Sequence, residues 1–88
     1  MKLNLYISKL IRSIICKVGR QETSKLLKTS RTTVYVWENN NKWNRVKNIK
    51  NLPLVCKTYC NLHPKENLKE VLMQGLVFYM EDVMKEIA

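Results

Sequence analysis

Glycine and proline are scarce, with two of each in 88 residues. A sandwich or barrel of short strands needs a turn signal about every ten residues, so the shortage excludes that class and favours long helices. Histidine is single, paired carboxylates are absent from the basic part of the chain, and no glycine-rich phosphate loop occurs. An enzyme reading therefore lacks its parts, and none is expected. Three cysteines, Cys16, Cys56 and Cys60, are too few and odd in number for a disulfide framework. That pattern predicts a reducing, cytoplasmic compartment. No stretch reaches the roughly 18 uncharged residues of a membrane span. The apolar start is interrupted by Lys9, Arg12 and Lys17 and does not read as a secretory signal.

What is present is apolar content of 45%, enough for one folded domain, and a large basic excess. Residues 1–65 hold 14 of the 16 basic side chains and 2 of the 7 acids, whereas residues 66–88 hold the other 2 bases and 5 acids. The positive field thus belongs wholly to the first three-quarters of the chain. A phosphate backbone is the commonest partner of such a surface.

In chain order, Leu3, Ile7, Leu10, Ile11, Ile14, Ile15 and Val18 recur at 3–4 spacing, which predicts a first helix stopped by Gly19. A second helix is expected over 21–28, with Leu26 and Leu27 as core anchors and small Thr23 and Ser24 permitting close approach. Ser30 is a good N-cap for a third helix from Arg31 to about Asn39. At about 100° per residue, Val34 and Trp37 face inward there, and Thr32, Tyr35, Val36 and Asn39 face outward. A solvated face would be rich in Lys and Glu, so an outer face of Thr, Tyr and Val beside Arg31 reads as a recognition surface. The segment 42–51 carries Lys42, Arg45, Lys47 and Lys50 without an acid and reads as a basic loop, containing at most one short helical turn. Trp43 within it is expected to cover an edge of the core. Leu52-Pro53 predicts the start of a fourth helix, with Pro at its first position, and His63-Pro64 its end. Over 65–88 an apolar 3–4 period predicts a fifth helix, too apolar to lie alone on a surface.

Residues 20–38, RQETSKLLKTSRTTVYVWE, followed by Asn39-Asn40-Asn41, a basic loop, Leu52-Pro53 and Asn61-Leu62-His63-Pro64, resemble the Cro/cI-type (XRE-like) helix-turn-helix regulators. The similarity covers about residues 3–64. Arg20 or Gln21 stands where that family opens its first motif helix with an amide. Ser24 matches its small residue, Val34 its buried aliphatic, and Trp37-Glu38 its closing apolar-Glu pair. Lys28 stands where the family has its turn glycine, and must take that glycine's geometry. The loop between Glu38 and Pro53 is longer than usual for the family.

The resemblance implies an all-α, five-helix lambda-repressor-like DNA-binding domain over 1–64. Residues 65–88 would extend it as a helix for dimerisation or partner binding. It further implies a sequence-specific regulator of transcription, a phage-type Cro-like repressor that binds a palindromic operator as a homodimer. Arg31, Thr32, Tyr35 and Val36 would then contact bases in the major groove. Arg20, Gln21, Ser30, Asn40, Lys42, Arg45 and Lys47 would hold the DNA backbone. Met73, Leu76, Met80, Val83 and Ile87 would form the dimer seam. No cofactor, small molecule or membrane partner is implied. Cys56, Cys60 and His63 at i, i+4 and i+7 would need Cys16 as a fourth ligand for structural zinc. Core packing explains Cys56 better, so no metal is expected. His63, in the turn before Pro64, is expected to be exposed. Glu38 reads as a structural acceptor for a nearby base such as Arg12. The alternative is a protein-binding regulator of antitoxin or antirepressor type, whose C-terminal helix takes a different protein.

Overall fold

A computed structural model describes residues 2–39 and 45–87, with side chains at 45–48 left out. The described residues form four helices, α1 (Lys2–Leu26), α2 (Arg31–Glu38), α3 (Arg45–Leu62) and α4 (Leu68–Ile87), and no strand. The all-α expectation is met; the five-helix count is not. The two helices expected before residue 28 both fall within α1, which divides into two helical segments at Gly19, where the first was expected to stop. The element is kinked at Gly19, whose φ of 83° and ψ of 167° break the helical path. Glycine carries no Cβ to resist that φ.

One further boundary differs from expectation. The fourth helix was expected to begin at Pro53, but α3 starts at Arg45 and encloses Pro53. Proline lacks the N–H that an interior position would use, yet the helix continues through it and extends into part of the expected loop. Of the two expected core anchors, Leu26 is substantially exposed and Leu27, just past α1, is buried. Trp43 lies outside the described residues.

The core is built on α1. Leu3, Ile7, Leu10, Ile11 and Ile14 meet Leu27, Val34 and Trp37 on one side and Leu52, Val55, Cys56 and Val71 on the other. The backbone of α1 approaches α2, α3 and α4, whereas α2 comes close to α1 only among the described residues. Buried hydroxyls find carbonyl acceptors, two within their own turn and one across helices. Thr23 Oγ1 donates to the Gly19 carbonyl at 2.6 Å, Ser24 Oγ to the Gln21 carbonyl at 2.7 Å, and Ser8 Oγ to the Trp37 carbonyl at 2.6 Å.

The last helix is integral to this core. Asn67 caps it, its side chain accepting from the Glu70 N–H at 3.2 Å and its carbonyl from the Val71 N–H at 3.0 Å. Tyr6 donates to the Val71 carbonyl at 2.6 Å and meets Phe78 edge-on at 5.3 Å. Gly75 faces Leu52 so closely that the two helices cross almost backbone against side chain.

Candidate nucleic-acid interface

The unit over 20–38 is organised by its turn. Lys28 holds φ at 54°, the one non-glycine residue with positive φ among those described. Around it the N–H of Thr29 donates to the Ser24 carbonyl at 3.0 Å, and that of Lys28 to the Lys25 carbonyl at 3.2 Å. Those two bonds, 6→1 and 5→2, define a Schellman stop with Lys28 at the left-handed position. Lysine thus takes a conformation that glycine adopts freely, at a cost of about 1–2 kcal/mol for a residue with a Cβ.

Two residues later Ser30 begins α2. Its hydroxyl accepts from the Thr33 N–H at 3.1 Å and lies 3.0 Å from the Thr33 hydroxyl. The expected N-cap is in place, so the Ser30 side chain is committed to the helix. The N–H groups of Arg31 and Thr32, the first two of the helix, have no acceptor among the described residues. Together with the helix dipole they make this end attractive to an anion.

Val34 and Trp37 are buried, as the spacing predicted, while Arg31 and Thr32 are exposed and Tyr35 is 57% exposed. Val36 is half-buried and packs on the core, so it sits at the edge of the outer face and not on it. Asn39 ends the helix; its side chain donates to the Tyr35 carbonyl at 2.8 Å. Gln21 is exposed at the near end of the unit. Arg20 is exposed too, but its guanidinium grips Glu38 through two bonds, Nη2 to Oε1 at 2.8 Å and Nε to Oε2 at 3.1 Å. This fork ties the segment after the kink to the end of α2, and the bonded carboxylate holds the Arg20 proton still more firmly than usual.

Arg20 therefore takes the place expected of Arg12. Arg12 instead falls with Lys9, Ser13, Cys16 and Lys17 around an open groove that His63 also lines. Among the described residues Lys25, Lys28 and Arg31 form no ion pair, so the turn and the start of α2 present uncompensated charge. Asn40 and Lys42 lie outside the described residues; Arg45 and Lys47 lie in the first turn of α3, without described side chains.

The cysteines are dispersed: Cys16 is exposed, Cys60 half-buried, and Cys56 fully buried, where desolvation pushes its thiol up to about 12. His63, expected to be exposed, is half-buried. Its Nδ1 donates to the Tyr59 carbonyl at 2.8 Å, and its ring stacks on Tyr59 at 4.3 Å. Among the described residues no group of three or more His, Cys, Asp or Glu side chains is placed to hold a metal ion. No helix among them is long and apolar enough to cross a membrane.

On α4, Met73, Leu76, Met80 and Ile87 of the expected seam are exposed, and Val83 is half-buried on its flank. Val77 and Met84 join them on the open face. No family model, no curated protein and no solved structure matches the chain.

Proposed function

We propose that the chain is a sequence-specific double-stranded-DNA-binding regulator of transcription, a Cro-like helix-turn-helix repressor that acts as a homodimer on a palindromic operator in the cytoplasm. The observation that carries the reading is Lys28. A left-handed turn between a packed helix and a capped one is what delivers α2 with Val34 and Trp37 inward and Arg31, Thr32 and Tyr35 outward.

Eight residues of helix fit a major groove about 12 Å wide. Arg31 at the helix start offers a planar fork to guanine O6 and N7, worth about 1–3 kcal/mol of discrimination. Thr32 and Tyr35 offer hydroxyls to neighbouring base edges, and the edge of Val36 can touch a thymine methyl. The free N–H groups at the start of α2, with Gln21, would hold phosphates and set the register. Arg20 would act through Glu38, fixing the far end of α2. The basic residues Lys42, Arg45 and Lys47 would add backbone contacts that raise affinity without reading sequence. Two-fold symmetry would place two copies of α2 about 34 Å apart, one turn of DNA.

Fluorescence anisotropy on labelled duplexes tests this. Affinity should fall steeply and log-linearly with salt, by close to one power of salt concentration per phosphate neutralised. Lys42→Ala should flatten that slope by about one while weakening all sequences alike. Salt-independent or undetectable binding would remove the reading.

A further inference from the structure

On α4, Met73, Leu76, Val77, Met80, Met84 and Ile87 recur at intervals of 3, 1, 3, 4 and 3, all on the side opposite buried Val71, Gly75 and Asp82. Their exposed fractions run from 37% at Leu76 to 80% at Ile87. Together they amount to about three whole apolar side chains laid bare along one stripe. Single exposed apolar residues are ordinary; a contiguous stripe marks an interface.

We infer that α4 is a self-pairing helix: two copies of the chain lie antiparallel along this stripe, with the two-fold axis near Val77 and Met80. The inference rests on the homodimer part of the proposed function and adds the surface and its direction. A second copy is the occupant that the size of the stripe favours. An isologous pair uses the same patch twice, which brings the buried surface to the order of the 1,200 Å² at which stable interfaces begin.

The flanks decide the direction. At about 100° per residue, exposed Glu70, Gln74 and Glu81 border one edge of the stripe, and half-buried Leu72, Tyr79 and Val83 border the other. In an antiparallel two-fold pair each edge meets its own copy. Apolar edge then closes on apolar edge, and the acidic edges open to water. A parallel pair would press each acidic edge onto its partner's apolar edge and strip water from the Glu70 carboxylate, the Gln74 amide and the Lys2–Glu81 ion pair. Lys69, the one cation of α4 itself close to the stripe, adds to this. Antiparallel pairing brings it to the C-terminal end of the partner's α4, where unpaired carbonyls favour a positive charge; parallel pairing sets Lys69 against its own copy.

Sedimentation of the free protein at micromolar concentration should give a dimer. Met80→Glu should give a monomer of unchanged helicity. In a Cys16→Ser background, oxidised Met73→Cys and Met84→Cys should each stay largely uncrosslinked alone, and should join as a mixed disulfide when combined. A wild-type monomer at that concentration, a dimer that survives Met80→Glu, or efficient crosslinking of Met73→Cys to itself would overturn the inference. None of these readouts involves DNA, so a failure of DNA binding leaves them interpretable.

Discussion

The carboxylate of Asp82, near the end of α4, caps the start of α1: its two oxygens accept from the backbone N–H groups of Lys2 and Leu3, each at 3.0 Å. Asp82 is 6% exposed and Leu3 wholly buried, so the chain's first and last helical turns are joined through a buried bond between residues far apart in sequence. An unmet helix-start N–H is costly when buried. Asp82→Ala should destabilise the fold by about 1–3 kcal/mol. Chemical denaturation checks it. The exposed pair between Lys2 and Glu81 beside it should contribute at most about 1 kcal/mol.

Gly75 has a different reason for being small. A Cβ there would stand 2.7 Å from Leu52 Cδ2 and 2.8 Å from Cδ1, and Leu52 is fully enclosed and has little room to yield. Alanine gains about 1 kcal/mol in helix propensity but overpacks by about 1–3 kcal/mol. Gly75→Ala should therefore lose about 1 kcal/mol net, and combining it with Leu52→Ala should cost clearly less than the two singles added together.

Lys28 predicts a gain. Glycine at φ of 54° removes the steric cost that lysine bears there, and Lys28→Gly should stabilise the protein by about 1 kcal/mol. Lys28→Val, branched at Cβ, should destabilise it. Paired denaturation curves would read both. The turn is correctly described only if the two variants move in opposite directions.

Buried Cys56 and half-buried Tyr6 give the fold an alkaline limit. Burial raises both, Cys56 from 9.0 to about 12 and Tyr6 from an ordinary 10.0 in the same direction. Below pH 9 both are protonated, folded or unfolded, and their contribution is complete. Above it the unfolded chain releases the Cys56 proton while the folded one retains it. Stability should fall by up to about 1.4 kcal/mol per pH unit per group until the folded group titrates in turn. Thermal midpoints from pH 8 to 11 would show the decline, and Cys56→Ala should lessen it. Near pH 8, iodoacetamide should label exposed Cys16 and spare Cys56 until the protein is unfolded.

Much of this was legible in the sequence because the deciding forces are local. Ser30 as cap and Val34 and Trp37 as inward residues follow from spacing and side-chain chemistry. The same holds for the all-helical class and the apolar period of α4. Illegible were the features that depend on distant partners. The Arg20–Glu38 fork and the Asp82 cap join residues brought together only by packing. Gly19 carries an ordinary helix-stop signal and does interrupt the helical path, but a second helical segment follows it directly and Thr23 Oγ1 bonds back to its carbonyl, so the two segments form one kinked element. Pro53 read as a helix start because an interior proline forfeits a hydrogen bond, and the helix before it rests on residues of weak apolar pattern. Angle alone places Val36 outward; its half-burial reflects how the core wraps the edge of α2.

The central claim, that α2 reads DNA through its outer face, is tested most directly by selecting bound fragments from random duplex DNA with the wild type and Arg31→Ala in parallel. The wild type should enrich a short two-fold-symmetric site with half-sites one helical turn apart. Arg31→Ala should lose preference at one base pair in each half-site, weakening binding to the wild-type site roughly 10- to 100-fold per copy, with thermal stability unchanged. Enrichment of no symmetric site, or an identical consensus from both proteins, would contradict the account.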